Sequence, residues 1–228
     1  LRYISITIES QKVKNYSLRA GGALFFNYYN LKEDRLMSII FQSLGRTVIA
    51  GIVILALLLF FAGNGLTNGV AHTIGLRWLH VGCGVMWIGL LWYFNFVQIP
   101  SMPKIPDEQK PAISKVIAPA ALFWFRWSAL ATVVTGLLVA LNANYLMQAL
   151  MLIDPARTIG IGMWLALVMA FNVWFIIWPN QKKALGIVVV EAAEKAKAAR
   201  MAMLTSRFNT MLSIAMLYCM VAQQNGGL

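Results

Sequence analysis

Cysteine is nearly missing from this chain. Its 228 residues include two, Cys83 and Cys219, each inside an apolar run and neither in a Cys-x-x-Cys pair. That excludes cysteine-based zinc sites, dithiol redox motifs and disulfide frameworks, and the absence of Cys-x-x-Cys-His excludes covalently attached c-type haem. A glycine-rich phosphate loop, a nucleophile elbow and a paired-histidine zinc motif are also lacking. Soluble-type hydrolase and nucleotide chemistry is thereby set aside. Internal repeats are not evident, and Pro100, Pro103, Pro106, Pro111, Pro119, Pro155 and Pro179 are read as punctuating ends or connections, so the inverted repeats and broken helices of a transporter are not expected.

Charge is scarce and hydrophobicity abundant: 12% of residues are charged, 60% are hydrophobic, and the mean hydropathy is +0.69. A soluble domain does not have this balance. Crossing a bilayer takes roughly 20 mostly apolar helical residues, and five stretches qualify: Thr47 to Gly63, Leu76 to Ile99, Ala120 to Leu141, Ile159 to Trp178, and Leu204 to Ala222. They are apolar on every face and lack the period-two alternation of a membrane barrel, so helix is the expected state. The expected fold is all-α, a polytopic transmembrane helix bundle of about five spans, with residues 37–228 forming one five-helix membrane domain.

Basic residues orient it. Arg2, Lys12, Lys14, Arg19, Lys32, Arg35 and Arg46 precede the first span, Lys104, Lys110 and Lys115 join the second to the third, and Lys182, Lys183, Lys195, Lys197 and Arg200 join the fourth to the fifth. The connections 64–75 and 142–158 offer only Arg157. The N-terminus is therefore expected in the cytoplasm and the C-terminus outside, in a bacterial inner membrane. Anionic lipid at the cytoplasmic face accounts for the net charge of +11, and no nucleic-acid partner is expected. Residues 1–36 are polar and mixed in charge, and carry no secretory signal. With Met37 a sensible natural start, they read as a cytoplasmic extension without assigned function. Residues 182–203 are rich in helix formers, with Glu191 and Glu194 ahead of Lys195, Lys197 and Arg200. They are expected to form a solvated charged helix on the cytoplasmic face.

The second span contains His80. At about 100° per residue, His80, Gly84, Trp87, Leu91, Asn95 and Gln98 share a face, with Arg77 one turn nearer the outer end. Gly82, Gly84 and Gly89 allow a helix or a flat cofactor close to the backbone. A neutral imidazole is a good axial ligand for the iron of haem b, and an arginine one turn outward can pair with haem propionates. Cofactor binding by His80, Arg77 and Gly84, with His80 as the metal ligand, is one reading. A hydrogen bond from His80 to a neighbouring helix is the other. A second ligand would come from His72, Met163, Met220, water or a partner chain.

The stretch Leu-His-x6-Trp-Ile-Gly-Leu-x-Trp-Tyr-Phe-Asn-Phe-Val-Gln, Leu79 to Gln98, resembles the second-span signature of the urate oxidase N-terminal family, the membrane-bound, cytochrome-linked urate hydroxylases of PuuD type. Asn172-Val-Trp-Phe-Ile-Ile-Trp-Pro-Asn-Gln-Lys-Lys183 and the run from Ala199-Arg200 to Ser206-Arg207-Phe-Asn209-Thr-x-Leu-Ser-Ile resemble it too. The likeness spans most of 37–222. More remotely, the Leu-His followed by Trp and Gly is similar to HemJ-type protoporphyrinogen oxidases, which would make His80 the haem-ligand position, and to CopD-type copper proteins. The resemblance implies oxidation of urate by a membrane domain, with electrons passed to a cytochrome c. No c-type haem motif stands in this sequence, so the acceptor is expected to be a separate cytochrome c. The alternative is a cofactor-free accessory or structural subunit of a larger membrane complex, or of a homo-oligomer.

Depth along the spans groups a second set of polar residues. Asn95, Arg126, Asn172, Arg207 and Asn209 all fall in the inner leaflet, where each is costly against lipid and is expected to turn into the bundle. Two arginines and three carboxamides suit a planar anion such as urate, with Trp124, Trp127, Trp174 and Trp178 available for stacking. An aromatic belt with snorkelling arginines and interhelical hydrogen bonds is the competing reading.

Overall fold

A computed structural model describes residues 39–61 and 69–227; the 1–36 extension therefore lies outside the described residues. Two compact units are distinguished, residues 1–67 and 68–228. The first contains α1, Leu44–Phe61, whose Ile, Val, Leu and Phe side chains occupy all its faces. In the second, α2 is Gly69–Trp92, α3 Ala118–Asn142, α4 Leu146–Leu150, α5 Arg157–Phe171, α6 Trp178–Ala184 and α7 Ala192–Ala222. No strand occurs among the described residues. Helices long and apolar enough to cross a membrane cover Leu44–Phe61, His72–Lys104, Lys110–Asn142 and Arg157–Ala184. Among the described residues the protein is thus all-helical, with four helices long and apolar enough to cross a membrane, and these match the first four expected stretches.

Three of the prolines lie inside these helices rather than at their ends. The chain stays helical through each by widening into a π-helical stretch, at Tyr93–Gln98, Ile113–Ile117 and Asn172–Ile177. Each stretch stops two residues short of a proline, Pro100, Pro119 or Pro179. Proline donates no N–H, and its ring crowds the carbonyl four residues back. A wider turn relieves that crowding without breaking the rod, which is how the second, third and fourth helices extend beyond the expected spans. The widened turns also carry function candidates: Asn95 lies inside the first and Asn172 opens the third.

Within the second unit α2 packs along α3, and α5 along α7. Trp87, Leu91 and Phe94 meet Leu122, Phe125 and Ala129, together with Met169, Val173 and Ile177 from the fourth helix and Met216 from α7. The Phe94 and Phe125 rings meet edge to face at 5.6 Å, a geometry favoured by the aromatic quadrupole. Small residues set the closest approaches. A Cβ on Gly162 would stand 3.0 Å from Cys219 Cβ, and one on Gly160 would run into the Ala149 carbonyl.

The last helix differs from expectation at its start. Residues 185–191 form a turn in which Gly186 takes φ +76°, and α7 then runs unbroken from Ala192 through the fifth expected stretch. Of the charged segment expected over 182–203, Lys182 and Lys183 therefore end α6 and the residues from Ala192 onward form the first turns of α7. This segment is not wholly solvated, because Ala198 and Ala202 are buried and Lys183 reaches across the turn to Glu194 at 2.5 Å.

Candidate functional site

A cavity of about 690 Å³ opens between α2, α3, α5 and α7, within the roughly 300–1,000 Å³ typical of cofactor and ligand sites. Its body is apolar, with Ile88, Leu137, Leu167 and Met216 among the lining side chains. His80 stands in its wall. The imidazole Nδ1 lies 3.0 Å from the Thr132 carbonyl oxygen and 3.2 Å from Thr135 Oγ1. A carbonyl only accepts, so Nδ1 carries the proton and donates it to Thr132, which leaves Nε2 with its lone pair. No hydrogen bond occupies Nε2 among the described residues. Of the two sequence readings of His80, the hydrogen bond to a neighbouring helix is present, through one nitrogen.

Gly136 makes this contact possible. A Cβ there would stand 2.8 Å from His80 Cε1 and 3.2 Å from Nδ1, so only glycine lets the ring lie flat against α3. Of the expected cofactor-binding residues, Gly84 lines the cavity and leaves room, since the nearest atom to a Cβ there would be Thr132 Cγ2 at 3.8 Å. Arg77 lies at the rim. Gly89 also lines the cavity, whereas Gly82 does not.

The rim is polar at one end only. Arg77, Tyr145, Gln148, Gln223 and Gln224 gather where α2 and α5 begin and α3 and α7 finish. Gln223 ties two of those ends together: its Oε1 accepts from the Ile159 N–H and its Nε2 donates to the Pro155 carbonyl, each at 2.9 Å. Tyr145 follows Asn144, whose φ of 58° turns the chain out of α3. Burial raises the Tyr145 phenol above its ordinary range, and the nearby Arg77 charge pulls the other way. The hydroxyl is therefore a donor at neutral pH.

These donors fit haem b. An imidazole whose Nδ1–H is held by a backbone carbonyl is the usual support for a ligating Nε2, and the thioethers of Met163, Met216 and Met220 line the same cavity. Of the residues named for a second ligand, Met163 and Met220 line the cavity, whereas His72 is exposed in the first turn of α2 and does not. Among the described residues no cluster of three or more His, Cys, Asp or Glu side chains is present. Imidazole and thioether suit haem iron better than a hard divalent cation.

At the other end of the helices the five expected anion-binding residues separate. Asn172 Nδ2 donates to Asn209 Oδ1 at 2.8 Å, and Asn209 Nδ2 donates to the Met169 carbonyl at 2.9 Å. Asn95 bonds the Leu91 carbonyl and Ser206 Oγ, both at 2.8 Å, and Trp92 Nε1 donates to Ser213 Oγ at 3.0 Å. Ser206, Asn209 and Ser213, all buried, thus form one polar stripe on α7 that binds α2 on one side and the fourth helix on the other. Spacings of three, four and seven residues identify such a seam.

Arg126 stands apart from that seam. Its guanidinium lies 3.3 Å from the Trp178 ring centroid, and its Nη1 is buried without a hydrogen-bond partner among the described residues. Trp174 Nε1, Gln98 Oε1 and Asn95 Oδ1 are buried and unpartnered as well. Trp127 and Trp174 meet edge to face at 5.5 Å, while Trp124 is exposed. Arg207 is exposed and makes no hydrogen bond or ion pair with the asparagines. Residues that sequence reasoning passed over include Thr132, Thr135, Gly136 and Tyr145. The signal that the sequence offers for them is the spacing by four and three of Ser128, Thr132 and Thr135, which suits a face that receives another helix.

Residues 156–226 match the family model described as urate oxidase N-terminal. This stretch covers α5, α6 and α7 and includes both later motifs, Asn172 to Lys183 and Ser206 to Ile214; the second-span signature lies outside it. Comparison with curated proteins and with solved structures found no match.

Proposed function

We propose that this protein is a membrane redox protein that oxidises urate or a related small anion and passes the electrons, through haem b, to a separate cytochrome c. The observation that carries the reading is His80: its Nδ1 is committed to Thr132 and its Nε2 is free, in the wall of a cavity large enough for a cofactor. The match of residues 156–226 supports the urate-related part. Bound there, haem supplies one-electron redox chemistry. The chain's own contribution is to hold the imidazole in one tautomer, to exclude water with an apolar lining, and to keep a cation where an anion can reach it. Arg126 is that cation. Its unpartnered Nη1 offers a hydrogen bond to a planar anion, with attraction strengthened by the low dielectric around it, and Trp174 Nε1 is a second free donor. Asn172 and Asn209 are engaged in the α7 seam, Asn95 bonds Ser206 and Arg207 is exposed, so the proposed anion site rests on Arg126 and Trp174.

The basic-residue asymmetry supports five spans in a bacterial inner membrane, with α7 as the fifth, the N-terminus cytoplasmic and the C-terminus outside. In intact cells, single cysteines placed in the 186–190 turn are expected to resist an impermeant thiol reagent, and those in the 142–156 connection to react. The reverse pattern would invert the topology.

One observation favours a cofactor-free accessory subunit: Asn172 and Asn209 satisfy each other and Met169, as a purely structural clamp would. The discriminating assay is urate-dependent reduction of soluble cytochrome c by membranes carrying the protein. Arg126→Ala is expected to lower the rate at least tenfold, whereas Asn209→Ala should lower thermal stability more than KM. Haem-loaded wild type without urate-dependent reduction would remove the activity, and an unchanged Arg126→Ala rate would remove the site.

A further inference from the structure

The cavity is one-sided in its chemistry. No acidic residue lines it, and its cation, its phenol and its carboxamides stand together at one end. A ligand seated there finds mostly apolar walls along its body, where the Trp87 indole N–H is the one unpartnered donor among the described residues, and it finds a cation and a phenol only at the rim. That is the complement of a flat apolar molecule bearing acid groups on one edge. From this arrangement we infer that Tyr145, acting with Arg77 and Gln148, forms an acid-binding rim that orients a porphyrin with its carboxylates toward the 142–158 end of the bundle. The inference rests on the haem reading above, but it concerns the acid groups and not the iron.

Local structure supports Tyr145 in this role. The turn through Asn144 ends α3, and the Tyr145 N–H bonds the Ala140 carbonyl at 3.1 Å. The ring is half-buried beside the cavity, and its hydroxyl makes no hydrogen bond within the described chain. Arg77 is exposed and forms no ion pair among the described residues. A free phenol and an unpaired guanidinium at one rim are donors awaiting an acceptor. Gln148, one turn of chain beyond Tyr145, adds a carboxamide. Charge-assisted hydrogen bonds of this kind are worth about 1.5–3 kcal/mol each, which corresponds to about tenfold or more in affinity.

Metal-free protoporphyrin separates the rim from iron ligation. Binding of haemin, protoporphyrin IX and protoporphyrin IX dimethyl ester to the detergent-purified protein would be followed by quenching of tryptophan fluorescence, Trp87 and Trp92 being in the cavity wall. The wild type is expected to bind the two acids at least tenfold more tightly than the ester. Tyr145→Phe, which keeps the ring and removes only the hydroxyl, should lose about fivefold to tenfold for both acids and nothing for the ester. Arg77→Gln should behave likewise. His80→Ala should lose the Soret shift with haemin and keep wild-type affinity for protoporphyrin IX. Equal binding of acid and ester, unchanged acid affinity in both rim variants, or no porphyrin binding at all would overturn the rim. A haemin spectrum that is the same in wild type and His80→Ala would overturn ligation by His80 alone, leaving the protoporphyrin result to decide the rim.

Discussion

On the proposal that His80 ligates haem b, Gly136→Ala is expected to abolish haem binding while leaving the bundle folded. The added methyl would stand 2.8 Å from His80 Cε1, closer than van der Waals contact permits, and the nearest yielding group is the imidazole itself. Moving the ring away from α3 breaks the hydrogen bond to the Thr132 carbonyl and the contact with Thr135 Oγ1. His80 then loses both its fixed tautomer and its aim. Loss of such an outer hydrogen bond alone costs a bound metal about 10–100-fold in affinity, and displacement of the ligand adds to that. In an α-helix alanine is favoured over glycine by up to about 1 kcal/mol, so α3 itself is not weakened. The haem content of purified Gly136→Ala should fall below about a tenth of wild type with helicity unchanged. Full haem content with an unshifted spectrum would mean that the Gly136 contact does not position His80.

Gly160→Ala should cost more stability than alanine at any other described glycine. Here a Cβ would meet backbone, not a movable side-chain tip: the Ala149 carbonyl carbon would be 2.9 Å away, its oxygen nearer still, and Leu152 Cδ2 also 2.9 Å. Relief requires α4 to separate from α5, and overpacking of this kind costs about 1–3 kcal/mol or more. The unfolding midpoint should drop by several degrees, and the rim that α4 helps to form should loosen with it. Gly84→Ala is the matched control. Its Cβ has ordinary contact distances and should cost little stability.

Spans and chemistry were unequally legible in the sequence. Unbroken apolar runs disclose membrane helices directly, because a polar backbone in lipid has no other solution, and the first four stretches correspond to the four long apolar helices. Pro100, Pro119 and Pro179 misled, since proline reads as a terminator while a π-helical turn can absorb it without ending the helix. Helical periodicity placed His80 and Gly84 on one face, and both reach the cavity. Periodicity within one helix is blind to the partner, however, so Thr132, Thr135 and Gly136 on α3 were not foreseen. Depth correctly grouped Asn172 with Asn209 but could not resolve azimuth: Arg126 faces Trp178, Asn95 faces Ser206, and Arg207 faces away from the seam.

An absorption spectrum of the purified full-length protein, oxidised and then reduced with dithionite, tests the central claim most directly. A haem reading anchored on His80 predicts a Soret band with b-type reduced bands, about one haem per chain by acid-acetone extraction, and loss of that haem in His80→Ala. A preparation folded by circular dichroism that shows no haem, and takes up none when hemin is supplied during expression, would contradict it.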